Sequence, residues 1–422
     1  MNKVVSAVFG AILSAIGASL IAILGAGFVA TLSTETLAQK NYAPGVSDTE
    51  IKIGQTMPYS GPASALGNAG RAHAAYFNMI NEHGGINGRK IRLISLDDAY
   101  SPPKTVEQTR KLVEGEGVAL IFGSLGTAPN MAIHKYLNTM KVPQLFISSV
   151  SSRWNDPAHF PWTMMGPRPS FEREGRIYAE YVLSIRPDAK IGVLYQNDDQ
   201  GKDYLRGLRE GLGSRAGELL VSEQSYELTD STVDSQIVTL KSSGADVLLN
   251  FSTPKFGAQS IRKIYDMGWK PLHIVGFPSS AIKTVLQPAG LEKSVGLVSS
   301  FATKDPSDPQ WRDDPALKDY LAWMKKYYPG GDPDDWGNVA GYGNAQLLVH
   351  VLKRCQDDLS RENVMRQAAS ISNLELPMLL PGIRVNTNPA DYMPVKQIQL
   401  ARFDGMRWVR FGALAGRPEE KP

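Results

Sequence analysis

Ile51-Lys52-Ile53-Gly54-Gln55-Thr56-Met57, followed at once by Pro58-Tyr59-Ser60-Gly61-Pro62, decides the fold class. The first seven residues read as a short apolar strand, and the Pro/Ser/Gly cluster as the turn that ends it. A helical pattern follows over 66–82, with Ala69, His73, Tyr76, Phe77 and Ile80 at spacings of three and four. Gly84-Gly85-Ile86-Asn87-Gly88 predicts a turn, and 91–96 a second strand. A helix over 105–114, a strand over 118–122, a helix over 130–138 and a strand over 143–147 continue the alternation. Strand, helix, strand with turns between implies a mostly parallel sheet covered on both faces.

The rhythm restarts after Pro167. Helices are predicted over 171–185, 202–211, 233–241 and 258–266, and strands over 191–195, 245–250 and 273–275. Two α/β units of similar size joined near 165–167 point to two lobes. Further helices over 314–328 and 341–352 need a sheet to pack on. The closing strands 395–403 and 408–411 flank Asp404-Gly405, a strong hairpin signal.

At about 150 residues per domain, 422 residues allow two or three domains. A chain 42% hydrophobic and 21% charged is globular, not disordered or fibrous. Its 45 Lys+Arg against 42 Asp+Glu leave a net charge of +3, and no basic run supports a nucleic-acid surface. The single cysteine, Cys355, excludes an intramolecular disulfide framework and a Cys-rich metal site, and reads as a buried apolar residue.

Residues 1–38 read as a secretory signal peptide: Lys3 supplies the charge, an apolar stretch follows, and Thr36-Leu37-Ala38 offers small residues for cleavage. The stretch is longer than usual, so an uncleaved membrane anchor is the competing reading.

Ligands in open α/β sheets bind beyond the carboxyl ends of the strands. Three loops there are small, hydroxyl-rich and glycine-bearing: 59–62, 123–127 and 148–152. Each precedes a predicted helix, a setting that suits a carboxylate, although Ser and Gly are also ordinary turn residues. Trp154 and Trp162 flank prolines near the lobe junction and could stack a flat apolar ligand or pack the core. No nucleophile elbow, metalloprotease helix or phosphate-binding lysine loop occurs, and no cofactor is expected. Gly211, Gly213 and Gly217 have the wrong spacing for a dinucleotide fingerprint. The acidic loop Asp332-Pro333-Asp334-Asp335 lacks the glutamate that a calcium loop needs, so it reads as solvated.

Several of these segments resemble the branched-chain amino-acid type of periplasmic solute-binding protein. They are the opening strand with Tyr59-Ser60-Gly61-Pro62, Asn81-Glu82-His83-Gly84-Gly85-Ile86-Asn87-Gly88, Tyr342-Gly343-Asn344-Ala345-Gln346 and the closing hairpin. The resemblance spans about 49–411 and implies a type I fold with two α/β lobes joined by three crossing strands. It implies lobes of 49–165 with 300–385 and of 166–299 with 386–412, leaving 413–422 as a C-terminal tail. It further implies a non-enzymatic, periplasmic protein that delivers a small ligand to the permease and ATPase of an ABC importer in the inner membrane. A ligand-binding sensor subunit is the alternative on the same fold.

By the same resemblance the cleft positions fall on Ser60, on Ser124, Leu125, Gly126 and Thr127, and on Ser149, Val150 and Ser151. Tyr342 completes the first lobe, and Gln200, Thr253, Phe277 and Pro278 belong to the second. The sequence departs from the pattern at Pro278, where the family's ammonium-pairing glutamate aligns, and at Gln200, where an aromatic is usual. A buried ammonium with no anionic partner is costly. The expectation is therefore a carboxylate ligand without an α-amino group, its apolar part near Trp154, Phe277 and Tyr342, with Arg168 available to the carboxylate. Asp198 or Asp199 in the cleft would restore an amino acid as ligand.

Overall fold

The computed structural model describes residues 40–416, so the expected signal peptide lies outside the described residues. From Asn41 onward the chain forms one unit containing two large sheets. The first has five strands, all parallel, in the order Lys90–Asp97, Glu50–Met57, Leu120–Phe122, Gln144–Ile147, Thr163–Met165. The second has seven, ordered Trp408–Ala415, Ile398–Phe403, Val298–Phe301, Leu272–Val275, Val247–Phe251, Ile191–Gln196, Leu220–Tyr226. The last five of these run parallel, and the hairpin at the other edge is antiparallel.

The short central strands, such as Val247–Phe251, are buried at every position, as two covered faces require. Their helices carry clear start signals. Ser170 accepts from the Arg173 N–H to cap Phe171–Ile185, Asp198 accepts from Gly201 to cap Asp199–Leu212, and Asp314 caps Pro315–Tyr327. Gly85, at φ +77°, shows why the turn after Asn68–Glu82 is glycine-bearing, since a Cβ there would stand 2.1 Å from the Arg89 carbonyl oxygen.

The chain passes between the sheets after Met165, after Phe301 and again before Ile398. Between the second and third passages, the helix Trp336–Cys355 packs on Asn68–Glu82 of the first sheet's layer, and Asn344 Nδ2 donates to the Phe146 carbonyl. Cys355, at the end of that helix, is buried, and its thiol is pushed up to about 12 by desolvation.

Strands at Thr163–Met165, Leu220–Tyr226 and Val298–Phe301 escape the periodicity reading, being three or four residues long or, for the edge strand Leu-Val-Ser-Glu-Gln-Ser-Tyr, largely polar. The hairpin also differs from expectation. Its first strand starts at Ile398, and its second runs to Ala415, which pairs with Ile398 across a bulge. Residues 413–415 are thus strand rather than tail; 417–422 lie outside the described residues.

Candidate functional site

A cavity of about 150 Å³ opens between the two sheets. From the first layer it is lined by Tyr100, Leu125, Gly126, Thr127 and the run 147–150; from the second by Gln200, Thr253, Phe277, Pro278 and Ser280. Arg168 and Phe171, from the first passage, and Phe301, from the second, close its sides, and Trp336, Val339 and Asn344 cover it from the helix Trp336–Cys355. Most of the wall is apolar.

The hydroxyl-rich corner is built by the loops after two parallel strands. Gly126, at φ +100°, leads into the helix Thr127–Thr139, and a Cβ there would lie 2.6 Å from the Tyr100 ring. The Thr127 and Ser149 hydroxyls are 2.8 Å apart, and Trp154 Nε1 donates to Ser149 Oγ at 3.2 Å. Trp154 is fully buried, edge-on to His134, and stands behind Ser149 instead of on the wall. It orients the serine and offers no stacking face to the cavity.

Among the described residues, Arg168 is the one charged residue on the wall. Its guanidinium lies 3.7 Å from the centroid of the Phe277 ring, donates to Ser300 Oγ and the Ser300 carbonyl, and stands 3.4 Å from Glu174. Glu174 is fully buried behind Phe277 and also accepts from Tyr178, Tyr204, Ser300 and the Phe277 N–H. It is a carboxylate near the cavity with its oxygens already engaged, and it is not on the wall. Phe277 meets Trp336 edge-on at 4.9 Å, closing one side of the cavity with an aromatic contact between the lobes.

Of the positions expected from sequence, Leu125, Gly126, Thr127, Ser149, Val150, Arg168, Gln200, Thr253 and Phe277 share this wall. Five others stand off it. Ser60 is exposed and donates to Asp97 at 2.6 Å; Ser124 is buried, accepting from the Thr56 N–H; Trp154 lies behind Ser149. Ser151 reaches the other lobe, donating to Asp203 at 2.5 Å. Tyr342 points into an aromatic cluster with Tyr76, Tyr320 and Trp323, because the helix carries it away from the face that presents Trp336, Val339, Ala340 and Gly343.

Asp198 and Asp199 are not on the wall. Asp198 caps its helix and accepts from Gln196; burial pushes its carboxyl up to about 6. Asp199 pairs with Arg153. The acidic loop is engaged by Lys283 through Asp332 and Asp334, while Asp335 caps Trp336–Cys355. No cluster of three or more metal-ligating side chains occurs among the described residues.

Sequence reasoning missed Trp336, Asn344, Phe301 and the Leu376–Leu379 segment of the wall. Trp336 and Asn344 share one helix at a spacing of eight, a same-face signal that shows on inspection, but nothing in the sequence aims that face at a cleft.

Two α/β lobes closing on a small apolar cavity define a solute-binding protein, and the sequence agrees. The profile of the periplasmic binding protein family matches residues 50–406, and the chain belongs to that family. Among curated relatives, Leu/Ile/Val-binding protein homolog 7 of Brucella abortus (strain 2308) is 27% identical over 333 residues, covering 75% of this chain and 79% of that one. A branched chain amino acid ABC transporter structure from Thermus thermophilus with bound valine superposes with a TM-score of 0.79 at 15% identity, covering 88% and 98% of the two chains. An R. palustris solute-binding protein in complex with benzoate gives 0.72 at 19%, covering 87% and 96%. The protein is a periplasmic binding protein with the type I fold.

Proposed function

We propose that the chain is the periplasmic component of an ABC importer that captures an amino-free organic acid and presents it, with the lobes closed, to a permease driven by an ATPase subunit. The observation that carries this reading is the charge of the wall: among the described residues no Asp or Glu lines the cavity, and the single charge there is Arg168. A buried ammonium would have no counter-charge there, a deficit of several kcal/mol. A carboxylate has the Thr127 and Ser149 hydroxyls, the start of the helix Thr127–Thr139, and a guanidinium. The remaining wall, with Phe171, Phe277, Phe301 and Trp336, suits an apolar body, and cavities near 150 Å³ accept a benzene-sized molecule. The R. palustris fold neighbour with benzoate supports this class; the valine-bound neighbour supports the fold but places an amino acid in its own cleft. The site residues proposed are Thr127, Ser149, Arg168, Gln200 and Phe277.

A thermal-shift series with leucine, benzoate, a hydroxycinnamate, a short fatty acid and a branched-chain oxo acid tests it. Ligand at a hundred times its dissociation constant stabilises by about 2.7 kcal/mol. A shift with amino-free acids and none with leucine is expected; a shift with leucine alone overturns the ligand class and leaves the transport role standing.

A further inference from the structure

Asn344 lines the cavity and is only 4% exposed. Its Nδ2 donates to the Phe146 carbonyl at 2.9 Å. A carbonyl can only accept, so this bond fixes which end of the amide is nitrogen and which is oxygen. The oxygen, Oδ1, is buried and meets no donor. The anchoring carbonyl belongs to a residue at φ +52°, unusual for phenylalanine, where the strand Gln144–Ile147 breaks register with its neighbour. Asn344 is thus held in one orientation by an irregular piece of backbone, and its acceptor is left over.

Six other polar side chains on the wall divide differently. The hydroxyls of Thr127, Ser149, Thr253 and Ser280 all have partners. Gln200, 5% exposed, has no partner for its Nε2, and Arg168 has none for its Nε. Two unpartnered donors suit the oxygens of a carboxylate. Nothing in a carboxylate suits Asn344 Oδ1, which needs a donor.

We propose that the ligand carries, beside its carboxylate, an uncharged hydroxyl that donates to Asn344 Oδ1, so that this chain selects hydroxylated organic acids. The inference rests on the organic-acid reading above and narrows it. The donor is uncharged for the reason already given, since an ammonium at Asn344 would face a neutral amide in a cavity whose only charge among the described residues is positive. Asn344 is then a specificity-determining residue, because a buried acceptor left unmatched discriminates against analogues that lack the hydroxyl.

The test compares ligands that differ only in this group, by calorimetric titration of the purified chain. One set is benzoate, the three hydroxybenzoates and the matching methoxybenzoates. The other is 4-methylpentanoate, its 2-hydroxy derivative and leucine. The expected result is that one hydroxylated acid binds about 10-fold or more tightly than its parent, and that methylating an aromatic hydroxyl, which keeps the oxygen and removes the donor, abolishes that gain. In Asn344→Leu the ratio of hydroxylated to parent affinity should fall to about one. Parent acids that equal every hydroxylated form, or a methoxy acid that keeps the full gain, overturn the proposal whether or not the variant folds. A gain that survives in folded Asn344→Leu overturns it as well. Leucine binding with no acid binding instead overturns the organic-acid reading, and this inference falls with it.

Discussion

Ser151 Oγ donates to Asp203 Oδ2 across 2.5 Å, and this hydrogen bond joins the two lobes at the rim of the cleft. The Ser152 N–H donates to the same oxygen at 3.0 Å, and Arg206, beside Asp203 on the helix Asp199–Leu212, donates to Ser152 Oγ at 2.7 Å. Arg153 and Asp199 add an ion pair next to it, and Lys283 with Asp332 forms a second bridge elsewhere on the rim. Asp203 is 1% exposed, and burial raises its carboxyl pKa, although Ser151 and Arg206 pull the other way.

Closing a two-lobed protein requires contacts made only in the closed state. Asp203→Ala removes the acceptor of two such contacts at once, those from the Ser151 hydroxyl and the Ser152 N–H. At about 1 kcal/mol for a net hydrogen bond, closure weakens by some 1–2 kcal/mol, and ligand affinity falls about 5- to 30-fold by the same population argument. Small-angle scattering of the unliganded variant should give a larger radius of gyration than the parent. An identical radius together with unchanged affinity would remove Asp203 from the closing device.

Arg168 joins charge to stacking, and a lysine can reproduce only the charge. Arg168→Lys should weaken binding of whichever acid the chain takes by about 10-fold, with little change in Tm. Arg168→Leu leaves the fully buried Glu174 without its cation and should cost about 3 kcal/mol of stability as well. Titration and urea denaturation of the two variants separate these effects; equal affinity in Arg168→Lys would mean that the guanidinium only supports Phe277.

The helices Phe171–Ile185 and Asp199–Leu212 approach closely enough that a Cβ on Gly207 would lie 1.8 Å from the Glu172 carbonyl oxygen. That obstacle is backbone, which cannot swing aside. Gly207→Ala should cost about 3 kcal/mol or more, read as a lower urea midpoint. Gly217→Ala, where nothing lies within 4 Å of the new atom, should be neutral or slightly stabilising. Similar midpoints for the two would show that the helices separate easily.

Stability should depend on pH through Asp198, whose carboxyl burial pushes up to about 6. A carboxyl with a higher pKa folded than unfolded holds its proton more tightly in the folded chain. Its stabilising contribution is therefore complete below about pH 4 and is lost as the pH rises from about 4 to 6. Asp198→Asn keeps a capping oxygen and removes the titration. It should flatten the stability profile across that window by about 1–2 kcal/mol, the full shift being discounted because the carboxyl is partly open to solvent. Denaturant midpoints at pH 4.5 and 7 check this, and parallel profiles for parent and variant would refute it.

The alternation of short apolar strands with helices was legible along the chain because burial on two faces leaves a local mark: runs such as 191–195 and 247–249 contain little but apolar residues. Caps and turns are equally local, and so the helix Phe171–Ile185 was legible to the residue. The hydroxyl loops were legible as chemistry, since each follows a strand whose end can be read. The sequence by itself also determined that no carboxylate stands at 276–280. Only the tertiary structure decided which residues share the cavity. Trp154 and Tyr342 look like ligand-facing aromatics until the packing shows one behind Ser149 and the other in a cluster with Tyr76. Asn344, Trp336 and the Leu376–Leu379 segment reach the wall from far along the chain, and the carboxylate of Glu174 is engaged by donors from four separate segments. Which face of a helix meets a cleft, and whether a buried polar atom finds its partner, depend on contacts between residues a hundred or more positions apart, and sequence spacing carries no record of them.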